Sequence, residues 1–292
     1  MRLIDTHLHF WDQRRDDLRY PWLQPGAAHP ILGDIDAIKS PLFDPAAFRA
    51  ETRFAGVEKA VHVEADARPA NVMSEPDWVE SVTTLAGLPT AIVIHLDLGA
   101  PSAVDQVRSL SSRPAIRGVR DFGLAAYLRG TSDPGTARAF RASLQAMADA
   151  GLLLDLDCAW EDMAAARALA QEHPQLTVVL EHIGYPRRRD DGYFASWSPA
   201  IGDLALAGNV HCKLSGLGMT DRNWTAESLR RWVATSVEAF GPSRCMFGSN
   251  WPVDRIASSY DAIVAAFLEL IGTCSAAEQE SICAANAEKL YF

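Results

Sequence analysis

In the stretch Ile4-Asp5-Thr6-His7-Leu8-His9, the side chains two apart, Asp5, His7 and His9, are all ionisable. Successive side chains of a β-strand point to opposite faces, so as a strand this stretch gathers those three groups on one side. The same alternation returns along the chain. Val61, Val63 and Ala65 interleave with His62, Glu64 and Asp66; Ile94 and Leu96 with His95 and Asp97; Leu154 and Leu156 with Asp155 and Asp157; and Val210, Cys212 and Leu214 with His211, Lys213 and Ser215.

Working outward, strand-length apolar runs fall at 2–9, 57–65, 90–98, 115–122, 152–158, 177–183, 209–215 and 244–250, with helical patterns between them. Ser74-Glu75-Pro76-Asp77 reads as a helix start and Gly87 as its stop. The amphipathic segment 135–150 ends at Gly151, and similar patterns occupy 161–173, 225–240 and 259–271. Eight strand-helix units with short connections predict a parallel sheet closed on itself, an α/β fold of the single (β/α)8 TIM type. No linker or repeat divides residues 1–292, so one barrel domain is expected over that span. Helices cover the outside of such a barrel, which requires an apolar outer face; the polar set is therefore expected in the lumen.

Two connections exceed what geometry needs, 11–44 after the first strand and 184–199 after the sixth, and both follow strands, placing them at the catalytic face. Trp11, Tyr20 and Trp22 in the first predict a partly apolar cover over a pocket.

Composition narrows the partners. Apolar residues make up 48% and charged residues 22%, the balance of an ordinary globular chain. With 27 basic against 37 acidic residues the net charge is −10, which disfavours nucleic acid and anionic membranes and leaves a small molecule as the expected partner. No 18-residue apolar run or signal-like opening occurs, so a cytoplasmic location is expected, with reduced cysteines: the five are scattered without CxxC spacing. Homo-oligomerisation is left open.

His7-Leu8-His9 places two imidazoles where both can ligate one divalent ion. In its context, Ile4-Asp5-Thr6-His7-Leu8-His9-Phe10-Trp11, it resembles the opening strand of the amidohydrolase superfamily. Val179-Leu180-Glu181-His182-Ile183-Gly184, Cys212-Lys213-Leu214-Ser215-Gly216-Leu217, Met246-Phe247-Gly248-Ser249-Asn250-Trp251-Pro252-Val253 and Asn286-Ala287-Glu288-Lys289-Leu290-Tyr291 are similar to the amidohydrolase-2 branch of sugar lactonases and pyrone-dicarboxylate lactonases. The likeness spans essentially the whole chain.

The resemblance implies a histidine pair, His7 and His9, a strand-six histidine, His182, and a strand-eight acid. Asn250 stands where many relatives carry that acid, and an amide cannot accept the proton. Asn250 can orient water or a carbonyl, leaving proton transfer to Glu64, Asp157 or His182. The branch implies lactonases with and without metal. With one, His7, His9, His182 and Glu64 would form a mixed nitrogen and oxygen shell suited to zinc or manganese. Without one, the histidines would hydrogen-bond the substrate carbonyl.

Arg120, nearer the end of its strand than Arg117, is expected to point inward and clamp a substrate carboxylate or hydroxyl array, or else to form a salt bridge. Lys213 is expected either to polarise a carbonyl or to pair with Asp155 or Asp157. Trp11 and Trp251 complete the expected substrate-binding set. Three activities follow: opening of a lactone by activated water, non-oxidative decarboxylation of an aromatic or unsaturated acid, and small-molecule binding without catalysis.

Overall fold

A computed structural model describes residues 1–69 and 71–292. Eight strands, β1 (Leu3–Leu8), β2 (Val57–Val63), β3 (Thr90–His95), β4 (Ile116–Arg120), β5 (Leu153–Leu156), β6 (Val178–Leu180), β7 (Val210–Leu214) and β8 (Cys245–Phe247), form one sheet in chain order. Every pairing between them is parallel. Past the end of β8 the chain returns to β1: Leu8 bridges Trp251, the His9 amide donates to the Trp251 carbonyl at 2.8 Å and the Asn250 amide to the His7 carbonyl at 2.7 Å. Those bonds close the (β/α)8 barrel.

A principal helix follows each strand: α1 (Pro45–Thr52), α2 (Ser74–Ala86), α3 (Ala103–Ser109), α4 (Pro134–Ala150), α5 (Met163–Glu172), α6 (Asp191–Ala205), α7 (Ala226–Phe240) and α8 (Tyr260–Leu270). Local chemistry sets their ends. Asp133 accepts from the Gly135 and Thr136 amides to start α4, Pro134 occupies its first turn, and Gly151, at φ 67°, stops it. Phe140, Leu144 and Met147, spaced for one face, are buried, each contributing about 1.5–3 kcal/mol. The segment 184–199, expected as a loop, is one only as far as Asp190, whose side chain caps α6 by accepting from the Tyr193 amide. Pro199 inside that helix disguised it in the sequence. None of the described helices is long and apolar enough to cross a membrane.

Ile4, Val61, Val63, Ala91, Val93, Leu153, Val179 and Met246, drawn from six of the eight strands and from no barrel helix, form one buried cluster with Ala284, Ala287 and Tyr291 from the carboxyl-terminal helical segment. Only the lumen brings so many strands together. The cluster fills its lower half, and the Tyr291 hydroxyl reaches Asp155 Oδ1 at 3.4 Å.

The cluster corrects the expected facing of two strands. On β2, Val61 and Val63 point inward, so His62 points outward: its ring stacks on Phe10 at 5.8 Å, and Nε2 lies 3.9 Å from Glu75 of α2. On β1, Ile4 points inward and Asp5 outward, where it accepts from the Ser249 hydroxyl at 2.5 Å and the Tyr260 hydroxyl of α8 at 3.0 Å. A register shift between Asp5 and Leu8 inserts an extra residue against β2, so His7 nonetheless faces the lumen.

Candidate active site

Above the apolar lower half, the inward groups at the carboxyl ends of the strands line a cleft of about 300 Å³. Its polar lining includes His9, Glu64, Arg120, Asp157, Glu181, His182 and Asn250. Of the five described non-glycine residues with positive φ, four, Asp66, His182, Tyr185 and Asn250, line this cleft. Such backbone costs of order 1–3 kcal/mol per residue and persists where surrounding structure enforces it, commonly at functional sites. Two glycines make room. A Cβ on Gly248 would lie 2.9 Å from the Cβ atoms of both His7 and Ser215, and one on Gly216 would lie 2.6 Å from His182 Nδ1.

His7, Glu181 and His182 are buried, with one donor atom from each lying within 4.8 Å of the other two. Neither ring nitrogen of His7 has a hydrogen-bond partner among the described residues, and Nδ1 stands 3.4 Å from Glu181 Oε1. Burial, with His182 and Lys213 nearby, holds the His7 imidazole well below its usual pKa and therefore neutral. Ser215 Oγ lies 2.9 Å from His182 Nδ1, fixing that ring. His9 stands beside the group, its ring centroid 5.0 Å from that of His7. The Val63 carbonyl, 2.8 Å from His9 Nδ1, can only accept, so Nδ1 carries the proton and Nε2 keeps a lone pair. Burial lowers His9 to about 4 and His182 to about 3. Neutral imidazoles beside a carboxylate suit a divalent cation.

Charge supports the same fit. Four carboxylates, Glu64, Asp155, Asp157 and Glu181, surround two cations, Arg120 and Lys213, an excess that a divalent ion would balance. Glu181, rather than Glu64, is the carboxylate in reach of His7 and His182. Glu64, expected among the metal ligands, is engaged instead on Oε1 by Arg120 Nε at 2.7 Å and on Oε2 by the Asp66 amide at 2.8 Å. Arg120 faces inward as expected, but its guanidinium also donates to Glu181 Oε2 at 3.0 Å and to the Glu64 carbonyl at 2.7 Å. It bridges two protein carboxylates and is not a free clamp for substrate. Burial alone would raise Glu181; Arg120 and then Lys213 instead hold it down to about 2.

Asp157 differs from its neighbours. Among the described residues no hydrogen-bond partner engages its carboxylate, it faces the cleft, and burial, followed by repulsion from Glu181, pushes it up to about 6. Asn250 donates Nδ2 to Asp254 Oδ1 at 3.1 Å, and burial drives Asp254 up to about 7.

Three expected substrate ligands sit elsewhere. Lys213 lies beneath the cleft, paired with Asp155, with its ammonium 5.6 Å from the Tyr291 ring. Trp11 is buried behind the cover, donating Nε1 to the Ser40 carbonyl and packing edge-on against Trp22 at 5.8 Å; Trp22 is the indole that lines the cleft. Trp251 points away from it, donating Nε1 to Glu51 Oε2 of α1. Glu181 was not singled out by sequence, although it stands two residues after the inward Val179. Asp254 carried no signal.

The family model for amidohydrolase matches residues 4–292. The chain belongs to the amidohydrolase family. It is 35% identical to the uncharacterized protein y4mH of Sinorhizobium fredii over 99% of this chain and 98% of that one. It is 29% identical to an L-fucono-1,5-lactonase of Burkholderia multivorans over 99% and 95%. An amidohydrolase of Burkholderia multivorans solved with bound zinc shares the barrel at TM-score 0.79 and 26% identity, over 100% of this chain and 99% of that one.

Proposed function

We propose that this amidohydrolase is a metal-assisted lactonase that opens the cyclic ester of a small sugar acid or of an acid from aromatic breakdown. The observation that carries the reading is His7, with two buried, unpartnered ring nitrogens facing Glu181 and His182 below an unpaired Asp157. The lactonase name of a relative and the zinc bound by a structural neighbour support it.

His7, His182 and Glu181, with His9 adjacent, would hold the ion. When bound, zinc or manganese supplies a Lewis acid for the lactone carbonyl. Asp157 takes a proton from the attacking water as its oxygen bonds to the carbonyl carbon. The bond from that carbon to the ring oxygen then breaks, and Asp157 returns the proton to the departing oxygen, giving a hydroxy acid. Asn250 orients the water or carbonyl, held in place by Asp254. His182, neutral and fixed by Ser215, is a poor base, and Glu64 is occupied by Arg120.

Lactones screened by pH indicator, with metal analysis of the same protein, test the proposal. Hydroxy acid as product supports it; carbon dioxide means decarboxylation, and unchanged ligand means binding alone.

A further inference from the structure

The lower lining of the cleft is ionic, whereas one side of its upper wall is apolar. Trp22, Ile31 and Leu32 come from the long connection after β1, and Phe122, Tyr185 and Val253 face them from the ends of other strands. Ile31 and Phe122 are 42% and 45% exposed, and both open onto this one cleft. Exposed apolar side chains converging on a concave site mark the place of an apolar ligand group.

The polar groups next to these apolar side chains are largely engaged already, while Arg187 and the Tyr185 hydroxyl line another part of the same cleft. The Trp22 Nε1 is taken by the Ala65 carbonyl at 2.8 Å, and His29 Nδ1 by the Ile31 and Leu32 amides at 3.2 and 3.1 Å. Asp66 is paired with Arg68 at 2.5 Å. A hydroxylated group seated directly against Ile31, Phe122 and Trp22 would lose water without recovering its hydrogen bonds from those side chains. An alkyl or aryl group would lose nothing polar and would bury surface against both sides.

We infer that the substrate is a lactone carrying an apolar alkyl or aryl substituent, with the ester carbonyl on the ionic floor and the substituent against Ile31, Phe122 and Trp22. This rests on the lactonase reading and narrows it away from polyhydroxylated sugar lactones.

The test uses two matched series from methyl to hexyl: γ-alkyl-γ-lactones assayed for hydrolysis with the metal-loaded enzyme, and the corresponding γ-lactams titrated by calorimetry, which need no turnover. Each methylene is expected to raise kcat/KM and lactam affinity by about fourfold until the wall is filled. Alkyl lactones should also exceed gluconolactone and galactonolactone. In Ile31→Ser and Phe122→Ser the hexyl-to-methyl ratio should fall at least fourfold in the lactam series, where loss of catalysis cannot mimic it. Lactam affinities flat or falling with chain length, or preference for the hydroxylated lactones, overturn the inference. Rising lactam affinity without hydrolysis of any lactone retains the apolar wall and removes the lactonase reading.

Discussion

Nδ1 of His7 approaches Oε1 of Glu181 to 3.4 Å without making a hydrogen bond to it. Two buried groups that come so close without bonding are placed as two donors facing a third body. A neutral imidazole and a carboxylate held down to about 2 are both in the protonation state that a cation requires.

Metal content should therefore follow these residues. Purified protein is expected to hold close to one zinc or manganese ion by elemental analysis, and His7→Ala or Glu181→Ala to lose most of it. Chelation should lower the melting temperature, since an ion at a hundred times its Kd adds about 2.7 kcal/mol. Full occupancy in Glu181→Ala would refute this ligand set.

As the proposed base, Asp157 would work only when ionised, so kcat should rise with pH through about 6, the value to which burial lifts the group. Asp157→Asn should lower kcat by about 10²- to 10⁴-fold with little change in KM and should erase that acidic limb. A pH–rate profile for each protein decides the matter; an unchanged limb in the variant would assign the proton to another group.

Arg120 holds two carboxylates that would otherwise be buried alone. Arg120→Met should cost about 3–5 kcal/mol in denaturant unfolding, whereas a surface pair such as Arg230 with Glu269 should cost under about 1 kcal/mol.

Glu75 offers a test away from the chemistry. Burial, then repulsion from Glu64, raises it from 4.5 to about 8, so the folded protein binds its proton more tightly than the unfolded chain does. Its contribution to stability is complete below about 4.5 and is lost as pH rises through about 8. Glu75→Gln removes that dependence while keeping an acceptor for the Ala65 amide. Its melting temperature should gain on that of the parent protein from pH 5 to 8, by roughly a few degrees.

Asn250→Asp installs the strand-eight acid that the family resemblance implies, but it sets a carboxylate beside Asp254, already pushed up to about 7. The pair should share a proton, with one member titrating higher still, and the variant should lose stability relative to the parent as pH rises through 7. The exchange Asn250→Asp with Asp254→Asn keeps one acid and one amide and should remove the penalty. Melting curves across pH measure both.

The barrel was legible because its strands are apolar runs with helical patterns between them, and all eight were placed within a few residues. The polar set was legible less evenly. Alternation placed Asp155, Asp157, Lys213 and Ser215 on the inner face of β5 and β7, where pairing is regular. It failed for Asp5 because β1 shifts register before His7, and a bulge leaves no mark in residue type. It failed for His62 because the regular alternation ends at Val63: Glu64 follows the last paired residue and turns toward Arg120, so His62 and Glu64 do not share a face. Glu181 was hidden by its neighbour His182, and Asp254 meets Asn250 only once the chain turns after β8.

The partners of Asp5 in the barrel seam, Ser249 and Tyr260, are 244 and 255 residues distant in sequence. During synthesis at about 5–20 residues per second, β1 waits on the order of tens of seconds before its second edge can be covered. The growing barrel is thus an open sheet with a bare strand throughout most of translation, and contacts of such long range also make closure slow. Cellular yield should accordingly depend on chaperone supply and on the rate of elongation more than on the stability of the finished barrel.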